Sequence, residues 1–162
     1  MTDGEAPRAT ILVVGFGNSL AGDDGAGPAV VGRLDSAGPP PVARTVEAGT
    51  DALDLAGRWR GEAQVWMVDA VLRGAAPGTI HRLEHEEVLA VPQRHATVHH
   101  LSLPECLRWL ALAEPAMAPV RYRLYGIEPG RLGLGEDLSP AVARAVERLA
   151  EALLRELTHF PG

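Results

Sequence analysis

The sequence predicts an α/β fold, one sheet with helices on both of its faces. Three observations carry this. Short apolar, β-branched runs recur along the chain and read as strands. Between them lie segments with helical spacing and recognisable caps. The resulting order, βαβαββαβα, is the alternation that sets helices on both sides of a sheet. The 162 residues fit one domain, 1–162, since domains run to roughly 100–200 residues. No repeat, linker or low-complexity tract divides them.

The elements follow in order. Residues 1–8 are expected to be a disordered tail. Ala9 to Gly15 (ATILVVG) is a continuous apolar run, read as a strand buried on both faces. A glycine-rich loop from Phe16 to Gly25 leads into a helix from Ala26 to Ala37, with Pro28 acceptable in its first turn. After Pro39-Pro40-Pro41, Val42 to Ala48 forms a second strand. Thr50 or Asp51 can then cap a short helix reaching about Arg60. Ala63 to Val71 is a third buried strand. Pro77-Gly78 marks a turn before a fourth, Thr79 to Glu84, whose imperfect alternation suggests an edge. Val88 to Val98 reads mostly as loop. Ser102-Leu103-Pro104-Glu105 is a capping box opening a helix that ends before Pro115. Val120 to Ile127 is the fifth strand. Ser139-Pro140 caps a last helix whose Val142, Val146, Leu149, Leu153 and Leu157 form one apolar stripe.

Composition narrows the chemistry. All fifteen basic residues are arginine, so P-loop, Schiff-base and Ser-Lys routes are closed. One cysteine, Cys106, supports neither an internal disulfide nor a multi-cysteine zinc site. The net charge of −6 argues against a nucleic-acid partner. No apolar run approaches the ~18–20 residues of a membrane helix. The acidic start, Met1 to Glu5, lacks the basic opening of an export signal. The expectation is a cytoplasmic protein that engages neither membrane nor nucleic acid.

Carboxylates and imidazoles remain. The loop Gly15-Phe16-Gly17-Asn18-Ser19-Leu20-Ala21-Gly22-Asp23-Asp24-Gly25 resembles a dinucleotide fingerprint only partially, because Leu20 stands where a third glycine belongs. Asp23 and Asp24 would also repel a phosphate at the helix start, so no nucleotide or flavin is expected. On spacing alone, one acid of that pair is expected to cap the helix. Asp69 ends the apolar run Val65-Trp66-Met67-Val68, where a carboxylate is costly unless paired, hydrogen-bonded or bound to a cation. In open α/β sheets ligands bind outside the carboxyl ends of the strands, and the first and third strands deliver acids there. His81, His85 and His159 are expected to be solvated. His95, His99 and His100 precede the capped helix, whose N-terminus favours the neutral, metal-binding imidazole. Two carboxylates and one imidazole suit a divalent ion such as nickel, zinc or manganese. Cys106 falls in an apolar helical pattern and is expected in the core.

The ordered set of short motifs resembles the hydrogenase maturation endopeptidases, which trim the large subunit of nickel–iron hydrogenases. The motifs are Gly15-Phe16-Gly17-Asn18 with Asp23-Asp24-Gly25; Gly49-Thr50; Val68-Asp69-Ala70; Pro77-Gly78-Thr79-Ile80; His99 with Leu101 and Leu103; Gly126-Ile127-Glu128-Pro129; and Leu138-Ser139-Pro140. The resemblance implies a three-layer α/β/α sandwich, phosphorylase/hydrolase-like, around a five-stranded mixed sheet whose fourth strand is antiparallel. It implies an acid, acid and histidine trio at Asp24, Asp69 and His99, both metal-binding and catalytic. It implies that the nickel ion arrives in the substrate, the large-subunit precursor, from which a short C-terminal peptide is cut. Asn18, Asp23 and Glu47 are secondary candidates. Many members begin an Asp-Gly-Gly-Thr stretch with aspartate, where this chain reads Glu47-Ala48-Gly49-Thr50. The alternatives are a maturation chaperone that senses nickel without cutting, and a metallohydrolase carrying its own ion.

Overall fold

A computed structural model describes residues 9–91, 102–135 and 137–161. Among them five strands form one sheet: β1 (Ile11–Gly15), β2 (Ala43–Glu47), β3 (Gln64–Ala70), β4 (Ile80–Leu83) and β5 (Arg121–Ile127). Their order across the sheet is β2-β1-β3-β5-β4. All neighbours run parallel except β4, which pairs antiparallel with β5 at the edge. The mixed sheet implied by the family resemblance is therefore the one observed. The tail at 1–8 lies outside the described residues.

Among the described residues five α-helices accompany the strands: α1 (Ala26–Ala37), α2 (Leu55–Arg58), α3 (His85–Leu89), α4 (Leu103–Ala113) and α5 (Pro140–Thr158). The alternation of side chains along a strand divides the interior into two cores. Ile11 and Val13 of β1, with Trp66 and Val68 of β3, face α1 and α5. There they meet Val30, Leu34 and the stripe Val142, Val146, Leu149, Leu153 and Leu157. Leu12 and Val14, with Val65 and Met67, face the other way onto Leu107 and Leu110 of α4. Cys106 is buried in α4, and that apolar burial, with the charges of Asp51 and Glu105, pushes its thiol above the ordinary value. It is a core residue, as its position in the pattern suggested. No helix among the described residues is long and apolar enough to cross a membrane.

Three expectations change. The stretch read as loop from Val88 begins inside α3, which is held by a capping box in which Glu84 and Glu87 exchange hydrogen bonds with backbone amides. His81 and His85 are not free in solvent. His81 Nε2 lies 2.9 Å from Glu128 Oε2, and His85 Nδ1 accepts the Tyr122 amide at 3.0 Å while stacking on the Tyr122 ring. Burial, then the positive charge of Arg121, lowers the His85 pKa. Ser139 precedes α5 but does not cap it; its hydroxyl turns to a carboxylate in the loop after β1.

Candidate active site

The glycine-rich loop works by close approach. A Cβ on Gly27 would fall 2.2 Å from the Phe16 carbonyl oxygen and 2.4 Å from that of Val68. The first turn of α1 is thereby seated against the carboxyl ends of β1 and β3. Gly17 has a φ of +134°, and a Cβ there would fall 1.9 Å from the Asp24 carbonyl oxygen. The loop can only be this tight with glycine at both points. Its consequence is to fold the turn Gly22–Gly25 back over the strand ends.

That turn carries Asp24 to the end of β3, where Asp69 is the penultimate residue. Asp24 Oδ2 accepts the Asn18 amide at 2.8 Å, and the Asn18 side chain in turn accepts the Leu20 amide at 2.9 Å. Asn18 thus braces the loop and orients Asp24 through its backbone. Asp69 Oδ1 accepts the amide of the next residue, Ala70, at 2.8 Å. Shielding from water, and then the negative charge of Asp24, raise the Asp69 pKa well above the ordinary carboxyl value; the single amide bond only partly offsets them. The structure therefore brings together two of the three expected site residues as a mutually repelling pair. Such a pair is relieved either by sharing a proton or by holding a cation.

Asp23, next to Asp24, has the opposite environment. It is fully buried and accepts four hydrogen bonds: from the amides of Gly130 (2.7 Å), Arg131 (2.8 Å) and Ser139 (2.6 Å), and from the Ser139 hydroxyl (2.8 Å). Burial alone would raise its pKa, but these donors outweigh it and hold the carboxyl below the ordinary value. Neither acid caps α1, whose N-cap is Gly25 without a side-chain bond. The capping expectation thus gives way to a long-range tie, in which Asp23 fastens the β1 loop to the segment that follows β5. Glu128 has the same role in the neighbouring loop. It is buried at the end of β5, accepts the amides of Arg73 and Gly74 at 2.9–3.0 Å, and pairs with His81. Burial is again outweighed, by His81 and the two amides, and its pKa is lowered. Sequence reasoning placed Glu128 in a motif without giving it a role. The one available signal was a charged residue directly after an apolar strand.

Glu47 does not join the pair. It is exposed at the end of the edge strand β2. Val46 packs into the core on the α4 side, while Thr45 bonds Asp35 of α1 on the other. Alternation sends Glu47 to the α1 side, whereas Asp69, in step with Val65 and Met67, leaves the sheet on the α4 side. His99, with His95 and His100, lies outside the described residues. No three metal-binding side chains stand together among the described residues.

The fold has counterparts among known proteins. A family model for hydrogenase maturation proteases matches residues 28–156. The chain is 30% identical to the hydrogenase 2 maturation protease of Escherichia coli over 149 residues, which is 91% of this chain and 90% of that protein. Among solved structures, the E. coli hydrogenase maturating endopeptidase HybD superposes with a TM-score of 0.77 at 29% identity, covering 91% of each chain. The fold also matches that of the hydrogenase maturation protease HycI from Thermococcus kodakarensis. There the TM-score is 0.79 at 24% identity, over 95% of this chain and 96% of that one. With the family model spanning most of its length, the chain belongs to the hydrogenase maturation protease family.

Proposed function

We propose that this peptidase removes a short C-terminal peptide from the nickel-loaded large-subunit precursor of a nickel–iron hydrogenase. We further propose that Asp24, Asp69 and His99 grasp the nickel carried by that substrate. The observation that carries the reading is the pair of carboxylates, Asp24 and Asp69, set at the strand ends with their charges opposed. A divalent ion offsets both charges, and an imidazole adds a nitrogen ligand suited to nickel. His99 stands four positions before α4 in sequence, and α4 packs on the face of the sheet from which Asp69 emerges. The Asp51 charge, in the loop after β2, also reaches Cys106 in the first turn of α4. The start of α4 therefore lies toward the carboxyl ends of the strands.

In the free protein the raised Asp69 pKa lets the pair retain a proton that a bound cation would displace. Once the precursor's nickel is held, its C-terminal segment is fixed in register over the strand ends. Hydrolysis then needs water to add to the scissile carbonyl and a proton to reach the leaving amine. A carboxylate of the pair within reach of that water serves as general base and returns the proton. Asn18 and Asp23 keep the loop that carries Asp24 in place throughout.

The test uses purified protein and two precursor preparations, with and without nickel, followed by intact-mass spectrometry. The loaded precursor should lose the mass of a C-terminal peptide, and the nickel-free one should stay whole. A loaded precursor that is bound but keeps its mass would overturn cleavage and leave a nickel-sensing chaperone.

A further inference from the structure

We propose that Leu20, Leu132 and Leu134 form a preformed docking surface for an apolar segment of the protein substrate, beside the Asp24–Asp69 pair. The inference rests on the reading that the chain acts on a protein precursor at that pair. Its starting point is a cost. Leu20, Leu132 and Leu134 are 70%, 48% and 81% exposed, on loops that leave the carboxyl ends of β1 and β5. Isolated surface leucines are ordinary, but clustered ones held in water mark interaction sites.

These leucines are held together by backbone. The Gly135 amide donates to the Leu20 carbonyl at 2.7 Å, and the Asp23 amide donates to the Arg131 carbonyl at 2.8 Å. Gly22, at φ +59°, has no side chain, and the backbone of Arg131 and Gly133 lies where one would project, 2.8 to 3.4 Å from a Cβ built there. The four hydrogen bonds on the Asp23 carboxylate close the same junction from beneath. Leu132 and Leu134 are separated by a glycine, so the segment offers leucine at alternate positions with no competing side chain between.

The occupant follows from location. The surface is continuous with the turn that carries Asp24, four residues from Leu20. A chain delivered to that turn meets the leucines beside it. The surface is apolar, so the segment that meets it should bear apolar side chains. Because the loops are tied before the substrate arrives, docking costs little ordering entropy. The leucines would set affinity for the precursor, and the carboxylates the rate once it is bound.

Steady-state processing of the nickel-loaded precursor separates these roles. The double variant Leu20→Ser/Leu134→Ser should raise KM at least ten-fold, change kcat less than two-fold and keep the wild-type circular dichroism. Leu134→Met, which stays apolar, should keep a near-wild-type KM where Leu134→Ser alone does not. Trp109→Ser/Leu112→Ser, on the exposed side of α4, should leave KM unchanged. An unchanged KM in the leucine double variant would overturn the proposal. So would equal effects of serine and methionine at 134, or a KM rise confined to the α4 variant. If the wild-type protein binds the precursor without cutting it, the cleavage reading fails separately, and direct binding decides docking. Ten-fold weaker binding by the leucine variant then supports the surface, and equal binding removes it.

Discussion

Asp23 and Asp69 stand at the same edge of the sheet, one in the loop after β1 and one at the end of β3, and their surroundings drive them apart. Asp23 receives four hydrogen bonds and stays ionised below the ordinary carboxyl range although it is fully buried. Asp69 receives one, from its own neighbour, faces the charge of Asp24, and is raised well above that range. Burial is the largest influence on both carboxyls and raises both. The supply of donors sets them apart, since four hydrogen bonds outweigh burial at Asp23 and one does not at Asp69. The loops at this edge spend most of their amides on Asp23 and Glu128, which fasten the scaffold, and give Asp24 and Asp69 one each. That contrast is what supports our proposal that the pair takes up an outside cation or proton.

The contrast is most open to attack at Asp24 and Asp69. Asp69→Asn and Asp24→Asn should each slow precursor processing by about a hundred-fold or more, the upper end of what loss of even an outer metal-site partner costs. Neither should lower the thermal midpoint. Asp69→Asn should raise it at neutral pH, because a shielded and repelled charge is gone. Wild-type processing by either variant would remove that residue from the site.

Asp23→Ala is expected to do its main damage to the fold. It strands three amides, at about 1–3 kcal/mol each, so a loss of about 3 kcal/mol or more is expected. That corresponds to a fall of roughly 6–12 °C in the midpoint of a chain this size. A midpoint within a degree of wild type would show that the tie holds nothing. Glu128→Gln should cost less, about 2 kcal/mol, since it keeps shape and one acceptor.

Urea unfolding followed against pH tests the signs. Asp23 and Glu128 have lowered folded values, so their contribution is full above the ordinary carboxyl range and is lost as pH falls through those lower values. Asp69 has a raised folded value, so its ionisation costs stability as pH climbs from the ordinary value through the raised one. Asp69→Asn should therefore remove the decline on the high side and leave the acid-side loss intact. The smallest effect is expected at Glu47, which leaves the opposite face. Glu47→Gln should change processing less than two-fold and stability by no more than about 0.5 kcal/mol. A large loss of activity there would bring the α1 side of the sheet into the centre.

The strands and long helices were legible because their signals are local. β1 and β3 are apolar runs, α1 begins and ends where its spacing does, and Ser102 with Glu105 makes the expected box. The short helix α3 was missed because its N-cap is a glutamate, a residue type outside the usual capping set. The site was partly legible for the same reason. Asp24 and Asp69 each end a recognisable local pattern, and their meeting follows from two adjacent parallel strands. The partners of Asp23 and His81 were not legible. They lie more than a hundred and nearly fifty residues away, beyond any periodicity. Glu47 marked the right end of its strand, but only the register shows which face it leaves.

The order of the sheet has a consequence for synthesis. β5 is the last strand to be made, yet it lies between β3 and β4, and the donors that settle Asp23 all come after it, at 130–139. A chain still emerging from the ribosome can pair β1 with β2 and β3, but Asp23 lacks its donors and β4 has no neighbour to join. The brace on the turn that carries Asp24 is thus completed only once the segment between β5 and α5 has been made.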